Sequence, residues 1–267
     1  MTLSISEPSG HHPVRSQVDH RAAVAAETAR FVAAVEGADP ATPVPGCPGW
    51  TLNDLIRHTG SVQRWFSVLL RKRIQQPPST RDVELHLPDR EDEYPGWLAA
   101  SAEVAADAFS TTGPDLPMWA WGADQHARFW ARRMFFETLL HRADAETALG
   151  RRPVVDRPAA VDGIDEFLVN LPFAAFFAPK VADLRASDRT VLFAASDGDE
   201  RWLVRLRPDG FGLDPAHAAA DDGDAVVRGA AADLLLLVYG RVSLDGGLVS
   251  VEGDGELLEH WFANSAF

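Results

Sequence analysis

The chain has 267 residues, 46% of them apolar and eight of them tryptophan, so it is long enough to bury a sizeable core in one large domain or two ordinary ones. Its 39 acidic and 25 basic side chains give a formal net charge of −14, which disfavours nucleic acid and membrane surfaces as partners. We expect a cytoplasmic protein, because Cys47 is the single cysteine, residues 1–20 lack the apolar core of a signal peptide, and the most apolar later run, 231–240, is too short to cross a bilayer.

The first half of the chain predicts a helical bundle. Residues 1–17 are polar and without apolar periodicity, so we expect a disordered leader there. A first helix is predicted from Asp19 or His20 to Gly37, and a second over 51–73, opened by a capping box of Thr51 and Asp54. Two further helices are predicted at about 96–110 and 125–149. Four helices with extended connections at 38–50 and 74–95 indicate a four-helix bundle over 18–150.

The second half has a mixed pattern. The Arg- and Pro-rich stretch 150–158 is the predicted domain boundary. After it we predict a helix at 160–178, strands at RTVLFAA, RWLVRLR and AVVRG, a buried helix at 229–240, a strand at LVSVEG and a last helix at GELLEHWFA. The predicted domain 151–267 is therefore α+β, with a small and mainly antiparallel sheet.

The fourth predicted helix contains FFETLLHRADAE, which places Glu137 and His141 one turn apart on one face. A carboxylate and an imidazole at this spacing can clamp a divalent metal ion, and such sites take three or four ligands. His58, in the second helix beside its apolar stripe, is the best candidate for a third ligand. The alternative is an ordinary ion pair between Glu137 and Arg133, and the spacing by itself favours that simpler interpretation.

Other motifs offer less. Cys47 precedes a helix and could be a nucleophile, but it has no acid–base partner nearby in the sequence, so we interpret it as a small buried loop residue. The sequence has no GxSxG, P-loop or GxGxxG motif. Metal-centred chemistry is therefore the one reaction type with local support.

Four segments carry a resemblance to a known family: VPGCPGWTLNDLIRHTGSVQRW, FWARRMFFETLLHRADAETALG, VVRGAAADLLLLVYGRV and VEGDGELLEHWF. From about residue 19 to the C-terminus, the chain resembles the mycothiol-dependent maleylpyruvate isomerase family of actinobacteria. The resemblance implies a DinB-like bundle holding a divalent metal, usually zinc, followed by a sterol-carrier-like α+β domain. It places metal ligands at His58, Glu137 and His141, and a catalytic arginine at Arg241, for which a helix-end ion pair is an equally good interpretation.

The resemblance implies mycothiol as the cosubstrate. A thiol that binds zinc loses its proton near neutral pH and becomes a nucleophile. If the thiolate adds to a cis double bond and leaves again, the reaction is an isomerisation; if it stays attached, the reaction is S-transfer. Isomerisation of a dicarboxylate requires cations such as Arg133 or Arg241 near the metal. Transfer requires only an apolar pocket. The bulky MWAWG and FFETLL segments favour transfer or a related reaction, and the candidate pocket residues are Trp65, Trp119, Trp121 and Trp130.

Two other functions stay open. In a non-catalytic small-molecule binding protein the metal would be a structural brace with a closed, four-ligand site. In a metal-dependent hydrolase the metal would activate water with help from a general base, for which Asp144 and Glu146 are candidates. Asp144 could instead orient a ligand. The sequence leaves open the electrophile, the choice of zinc over nickel, iron or cobalt, and the choice between monomer and homodimer.

Overall fold

The computed structural model describes residues 18–78, 83–214 and 222–266, so the predicted leader at 1–17 lies outside the described residues. Within the described chain, the N-terminal half forms a four-helix bundle, as predicted. Helix α1 packs against α3 and α4, and α2 packs against the same two helices. The four helices are α1 (His20–Val35), α2 (Leu52–Lys72), α3 (Tyr94–Thr111) and α4 (Ala127–Ala148).

The start of α2 is fixed by local hydrogen bonds. Thr51 Oγ1 accepts from the Asp54 backbone N–H at 3.3 Å, and Asp54 Oδ2 accepts from the Thr51 N–H at 3.1 Å, which confirms the predicted capping box. The preceding loop folds back on this cap, since the Val44 N–H donates to the Trp50 carbonyl at 2.9 Å. As a result, His58 lies in the second turn of α2 and the loop 38–50 lies beside it.

A close approach between α2 and α3 occurs at Gly60, two residues after His58. A Cβ at this position would overlap the ring of Trp97, which is 5% exposed. We expect Gly60→Ala to destabilise the protein by about 1–3 kcal/mol, because a rigid indole has no space to move into. The midpoint of thermal unfolding measures this effect. Gly96→Ala is the matched control: a Cβ there meets nothing within 4 Å, and equal losses in both variants would contradict the packing argument.

The second domain begins with α5 (Arg157–Asn170), followed by 3₁₀ segments at Leu171–Phe176 and Pro179–Asp183. The predicted helix at 160–178 was therefore wrong in both bounds. It starts earlier because Pro158 is well suited to a first turn, and the α-helix ends before Pro172, which cannot donate the backbone hydrogen bond that continuation requires. The first 3₁₀ segment and the residue that follows it carry three exposed phenylalanines: Phe173, Phe176 and Phe177.

Among the described residues, five strands form one sheet in the order β3-β2-β1-β4-β5. The β1–β4 pair is parallel and the other three neighbouring pairs are antiparallel, in agreement with the predicted mainly antiparallel α+β domain. Strand β3 was not predicted, because GFGL has two glycines and little alternation. The strands are β1 (Arg189–Ala195), β2 (Arg201–Arg207), β3 (Gly210–Leu213), β4 (Ala225–Gly229) and β5 (Val249–Gly253), and the remaining helices are α6 (Ala231–Val238) and α7 (Gly255–Asn264).

The two halves share a hydrophobic core. Side chains of α4, α5 and α6 belong to one buried cluster that contains Trp130, Phe136, Ile164 and Leu235. Helix α5 packs against both α4 and α6, and the turn that follows α6 contacts α4 through Arg241 and Asp144. In the described ranges, none of the helices combines the length and apolarity needed to span a bilayer.

Candidate metal centre

Helices α2 and α4 bring the three predicted ligands together. His58 Nε2 lies 3.1 Å from Glu137 Oε1, and His141 Nε2 lies 3.4 Å from the same oxygen. One donor atom from each of the three residues lies within 4.8 Å of the other two. The two imidazole rings meet edge to face with centroids 4.9 Å apart. His58 is 79 residues from Glu137 in sequence and His141 is four residues from it, and the three donor atoms converge on one point.

The donor set fits a divalent cation. Two imidazoles and a carboxylate form a ligand set that zinc, nickel, iron and cobalt accept. Burial opposes a charge on His141, but its bonds with Asp144, Cys47 and Glu137 outweigh burial and hold its pKa well above the usual value. Burial likewise opposes ionisation of Glu137, yet bonds with His141 and His58 hold the pKa of this carboxyl well below its usual range. The surroundings therefore favour positive charge between the two histidines.

Each α4 ligand is oriented by a further side chain. His141 Nδ1 lies 3.1 Å from Asp144 Oδ2, which leaves Nε2 directed at Glu137. Arg133 donates to Glu137 Oε2 at 3.0 Å, which leaves Oε1 for the histidines. The ion pair and the metal ligand proposed for Glu137 are thus compatible, because the two roles use different oxygens of one carboxylate.

Arg241, at the turn after α6, forms a two-pronged ion pair with Asp144. Its Nε and Nη2 donate to Oδ1 and Oδ2 at 3.0 and 2.9 Å, and Nη1 donates to the Tyr239 carbonyl at 2.7 Å. Burial opposes both charges. The bonds from His141 and Arg241 nevertheless lower the pKa of Asp144 to about 2, and Asp144 in turn raises the pKa of Arg241. Arg241 therefore reaches the metal ligands through Asp144.

Cys47 is closer to this group than the sequence suggested. Its Sγ lies 3.6 Å from Asp144 Oδ2, and it forms a second set of donor atoms with His141 and Asp144 within 4.8 Å. Gly46 permits the approach, since a Cβ there would overlap the Asp144 carboxylate. This contact was missed because Asp144 lies 97 residues away in sequence, and no local pattern marks it.

A buried network extends from Glu137 into the second domain. Arg133 Nη1 donates to Glu166 Oε2 at 2.8 Å and bonds to Tyr239 Oη at 2.9 Å. The Tyr239 hydroxyl donates to the same Glu166 oxygen at 2.8 Å, and burial holds its pKa well above the usual value, so it is neutral. Neither Glu166 nor Tyr239 was predicted. The available signals were a glutamate within the apolar face of α5 and a tyrosine ending LLLLVY.

A cavity of about 340 Å³ opens onto the three ligands. Trp130 is fully buried behind the cavity, where its ring packs against Trp65 and Trp119, so only three of the four candidate tryptophans line it. The polar part of the lining consists of His58, Arg133, Glu137, His141, Tyr239 and Arg241. The apolar part consists of Val62, Trp65, Phe66, Pro77, Pro78, Trp119, Trp121, Leu140, Phe176 and Phe177.

Fold and site together define a two-domain protein whose helical bundle carries a candidate metal centre beneath an apolar cavity. The family model of the Mycothiol maleylpyruvate isomerase N-terminal domain matches residues 21–146, and that of the MDMPI C-terminal domain matches residues 158–260. The chain therefore belongs to the mycothiol-dependent maleylpyruvate isomerase family, which confirms the resemblance seen in its sequence.

Solved structures agree with this assignment. The crystal structure of the mycothiol-dependent maleylpyruvate isomerase is similar with a TM-score of 0.53 and 15% identity, over 88% of this chain and 92% of that one. A mutant of that enzyme with a histidine replaced by alanine gives a TM-score of 0.54 at the same identity and coverage. At this identity the likeness shows the fold. The comparison with curated proteins finds no match.

Proposed function

We propose that the chain is a metal-dependent enzyme that uses mycothiol as its thiol cosubstrate and adds the thiolate to an electrophilic small molecule. The observation that carries this proposal is the convergence of His58, Glu137 and His141 at the wall of the cavity. Membership of a family named for mycothiol and maleylpyruvate supports the thiol and the reaction class. Isomerisation and S-transfer both begin with this addition.

The protein's own residues supply position and charge. His58, Glu137 and His141 would hold the cation, for which zinc is the first choice. A bound divalent cation supplies a lowered thiol pKa, so that a sulfur nucleophile forms near neutral pH. Asp144 fixes the ring of His141 and Arg133 fixes the carboxylate of Glu137, so both ligands hold their direction during the reaction.

Arg241 is proposed to orient the electrophile. Three of its nitrogens each donate one hydrogen bond within the protein, which leaves further N–H hydrogens on Nη1 and Nη2. One of these can bind the carbonyl oxygen that activates the double bond. Negative charge that develops on that oxygen during addition would then be stabilised by the guanidinium.

The two alternatives receive less support. A closed structural site needs a fourth protein ligand, and the described residues place no additional His, Cys, Asp or Glu donor within 4.8 Å of all three. A hydrolase needs a free general base, but Asp144 accepts from Arg241 and contacts His141, while Glu146 accepts from Arg142 at 2.8 Å. Location in the cytoplasm and the choice between monomer and homodimer stay predictions.

Metal removal tests the proposal. We expect elemental analysis of the isolated protein to find a bound divalent metal, and dialysis against a chelator to lower mycothiol-dependent turnover of the electrophile by about a hundredfold or more. Added zinc should restore the rate. The assay follows both the electrophile and mycothiol, because isomerisation regenerates the thiol and transfer consumes it. Maleylpyruvate and a panel of other electrophiles are the substrates, and glutathione is the control thiol. Consumption of mycothiol at the full rate by metal-free protein would refute the mechanism.

A further inference from the structure

We propose that the electrophile is a neutral, aromatic α,β-unsaturated carbonyl compound rather than a dicarboxylate. This inference rests on the proposed function and adds the substrate class. It is carried by two features of the cavity: the arginines at its polar end are already neutralised, and the remainder of its wall is aromatic or aliphatic.

The charges around the polar end leave no surplus for an anion. Among the described residues that line the cavity, the guanidinium groups are those of Arg133 and Arg241. Arg133 lies between two carboxylates, with Glu166 at 2.8 Å and Glu137 at 3.0 Å, and Arg241 is paired with Asp144 at 2.9 Å. The two guanidinium groups thus face three carboxylates.

The two guanidinium groups and three carboxylates together carry one net negative charge when both histidines are neutral ligands. A divalent cation and a thiolate together add one positive charge and bring the site to neutrality. A dicarboxylate would add two negative charges in a partly buried space, where an uncompensated charge is costly. The open N–H hydrogens of Arg241 could contact one carboxylate oxygen, but the positive charge of this guanidinium is already shared with Asp144, and the second carboxylate would have no counter-charge. A neutral electrophile leaves the balance unchanged.

The cavity wall fits an aromatic group. Trp121 and Phe177 meet edge to face with centroids 5.1 Å apart, and Phe177 joins the neighbouring Phe176 in the same geometry at 4.7 Å. Phe176 is 69% exposed although it lines the cavity, so covering it with a ligand ring removes apolar surface from water. Aromatic pairs in such arrangements also gain energy beyond the area that they bury.

The reaction needs no further reagent. The sulfur electron pair forms a bond to the β-carbon of the acceptor while the π pair of the C=C bond moves to the carbonyl oxygen. The resulting enolate then takes a proton from water at the α-carbon. The thiol proton released beforehand passes to solvent, so the product is the acceptor plus one thiol.

A matched pair of acceptors tests the substrate class. 4-Phenylbut-3-en-2-one and its 4-carboxyphenyl analogue share the same reacting group and differ by one carboxylate. We expect kcat/KM with mycothiol, divided by the uncatalysed rate of each acceptor, to favour the neutral compound by about tenfold or more. Maleylpyruvate is the third acceptor. Equal or better use of the carboxylated acceptor or of maleylpyruvate would overturn the inference and leave the proposed function intact, whereas no turnover of any acceptor would overturn both.

Binding gives a readout that does not depend on turnover. The protein is titrated with two saturated ketones, and binding is followed by tryptophan fluorescence. The ketones are 4-phenylbutan-2-one and its 4-carboxyphenyl analogue. We expect tighter binding of the neutral ketone, and Phe177→Ala should weaken it by about threefold to tenfold. The matched control is Phe173→Ala, which changes an exposed phenylalanine in the 3₁₀ segment that precedes Phe177. Phe173 does not line the cavity. Equal effects of the two variants would contradict the aromatic contact.

Glu166→Gln tests the charge argument directly. This nearly isosteric change removes one of the three carboxylates, so the preference for the neutral ketone over its carboxylated analogue should narrow severalfold. An unchanged preference in folded protein would contradict the role given to local charge. Should this variant not fold, the wild-type ratio of the two ketones and the Phe177→Ala comparison decide the question.

Discussion

His141→Ala is expected to abolish metal binding and mycothiol consumption together. The variant removes one of three donor atoms that lie within 4.8 Å of each other, and a divalent cation held by only two protein ligands binds far more weakly. We expect a loss of activity of about a thousandfold, because the proposed nucleophile depends on the cation. His58→Ala should behave alike. Elemental analysis and the rate of mycothiol-dependent turnover of the electrophile are the two measurements.

His126→Ala is the matched control for this prediction. His126 caps the N-terminus of α4 and pairs with Asp124 at 2.6 Å, well away from the three ligands. Its loss should leave the bound metal and the rate close to wild type. Metal retained at full stoichiometry in both His58→Ala and His141→Ala would show that the cation binds elsewhere.

Asp144→Asn is expected to lower both stability and metal affinity. Asp144 is 2% exposed and joins Arg241 of the second domain to His141 of the bundle. Breaking a buried ion pair leaves the guanidinium without its counter-charge, which costs about 3–5 kcal/mol. Loss of the partner that orients His141 should weaken metal binding by about 10–100-fold. Chemical unfolding of metal-free protein and metal titration measure the two effects separately.

The effect on stability should depend on pH. The pKa of Asp144 is about 2 in the folded protein, below its value of about 4 in an unfolded chain. Its ionisation therefore contributes stability that is present above pH 4 and is lost as the pH falls towards 2. The difference in the free energy of unfolding between wild type and Asp144→Asn should therefore become smaller as the pH falls from about 4 to about 2. The control is Glu146→Gln, which lies half a turn further along α4. An equal loss of stability in both variants would argue against a special role for the ion pair between Asp144 and Arg241.

The three candidate ligands could be proposed from the sequence because helical geometry marks two of them. Glu137 and His141 are four apart on one helix, His58 was chosen as an imidazole beside the apolar stripe of the second helix, and the family resemblance supported all three. The surrounding network was not predictable in the same way. Arg133, Glu166 and Tyr239 meet across separations of 33 to 106 residues, and such contacts leave no periodic signal. The neutralised state of the arginines could be recognised only from the folded structure.

Prediction of the fold succeeded where the apolar periodicity of the sequence was strong. It failed where a proline or glycines determined the bounds of an element. Helix α2 carries a long apolar stripe and a complete capping box. The C-terminal bound of α5 was missed because Pro172 stops the helix inside a run that is apolar throughout. Strand β3 was missed because four residues with two glycines form it only by pairing with β2. At β3 the low strand propensity of the sequence was outweighed by the pairing with β2.

The cavity is lined partly by the bundle helices and partly by connecting segments. This arrangement has an evolutionary consequence. The donor atoms lie on α2 and α4, whereas Trp119, Trp121, Phe176 and Phe177 belong to short segments between regular elements. Connecting segments tolerate substitution and insertion better than packed helices. Descendants of such a chain could therefore exchange one acceptor for another by altering these segments alone, while the chemistry at the two helices was inherited unchanged.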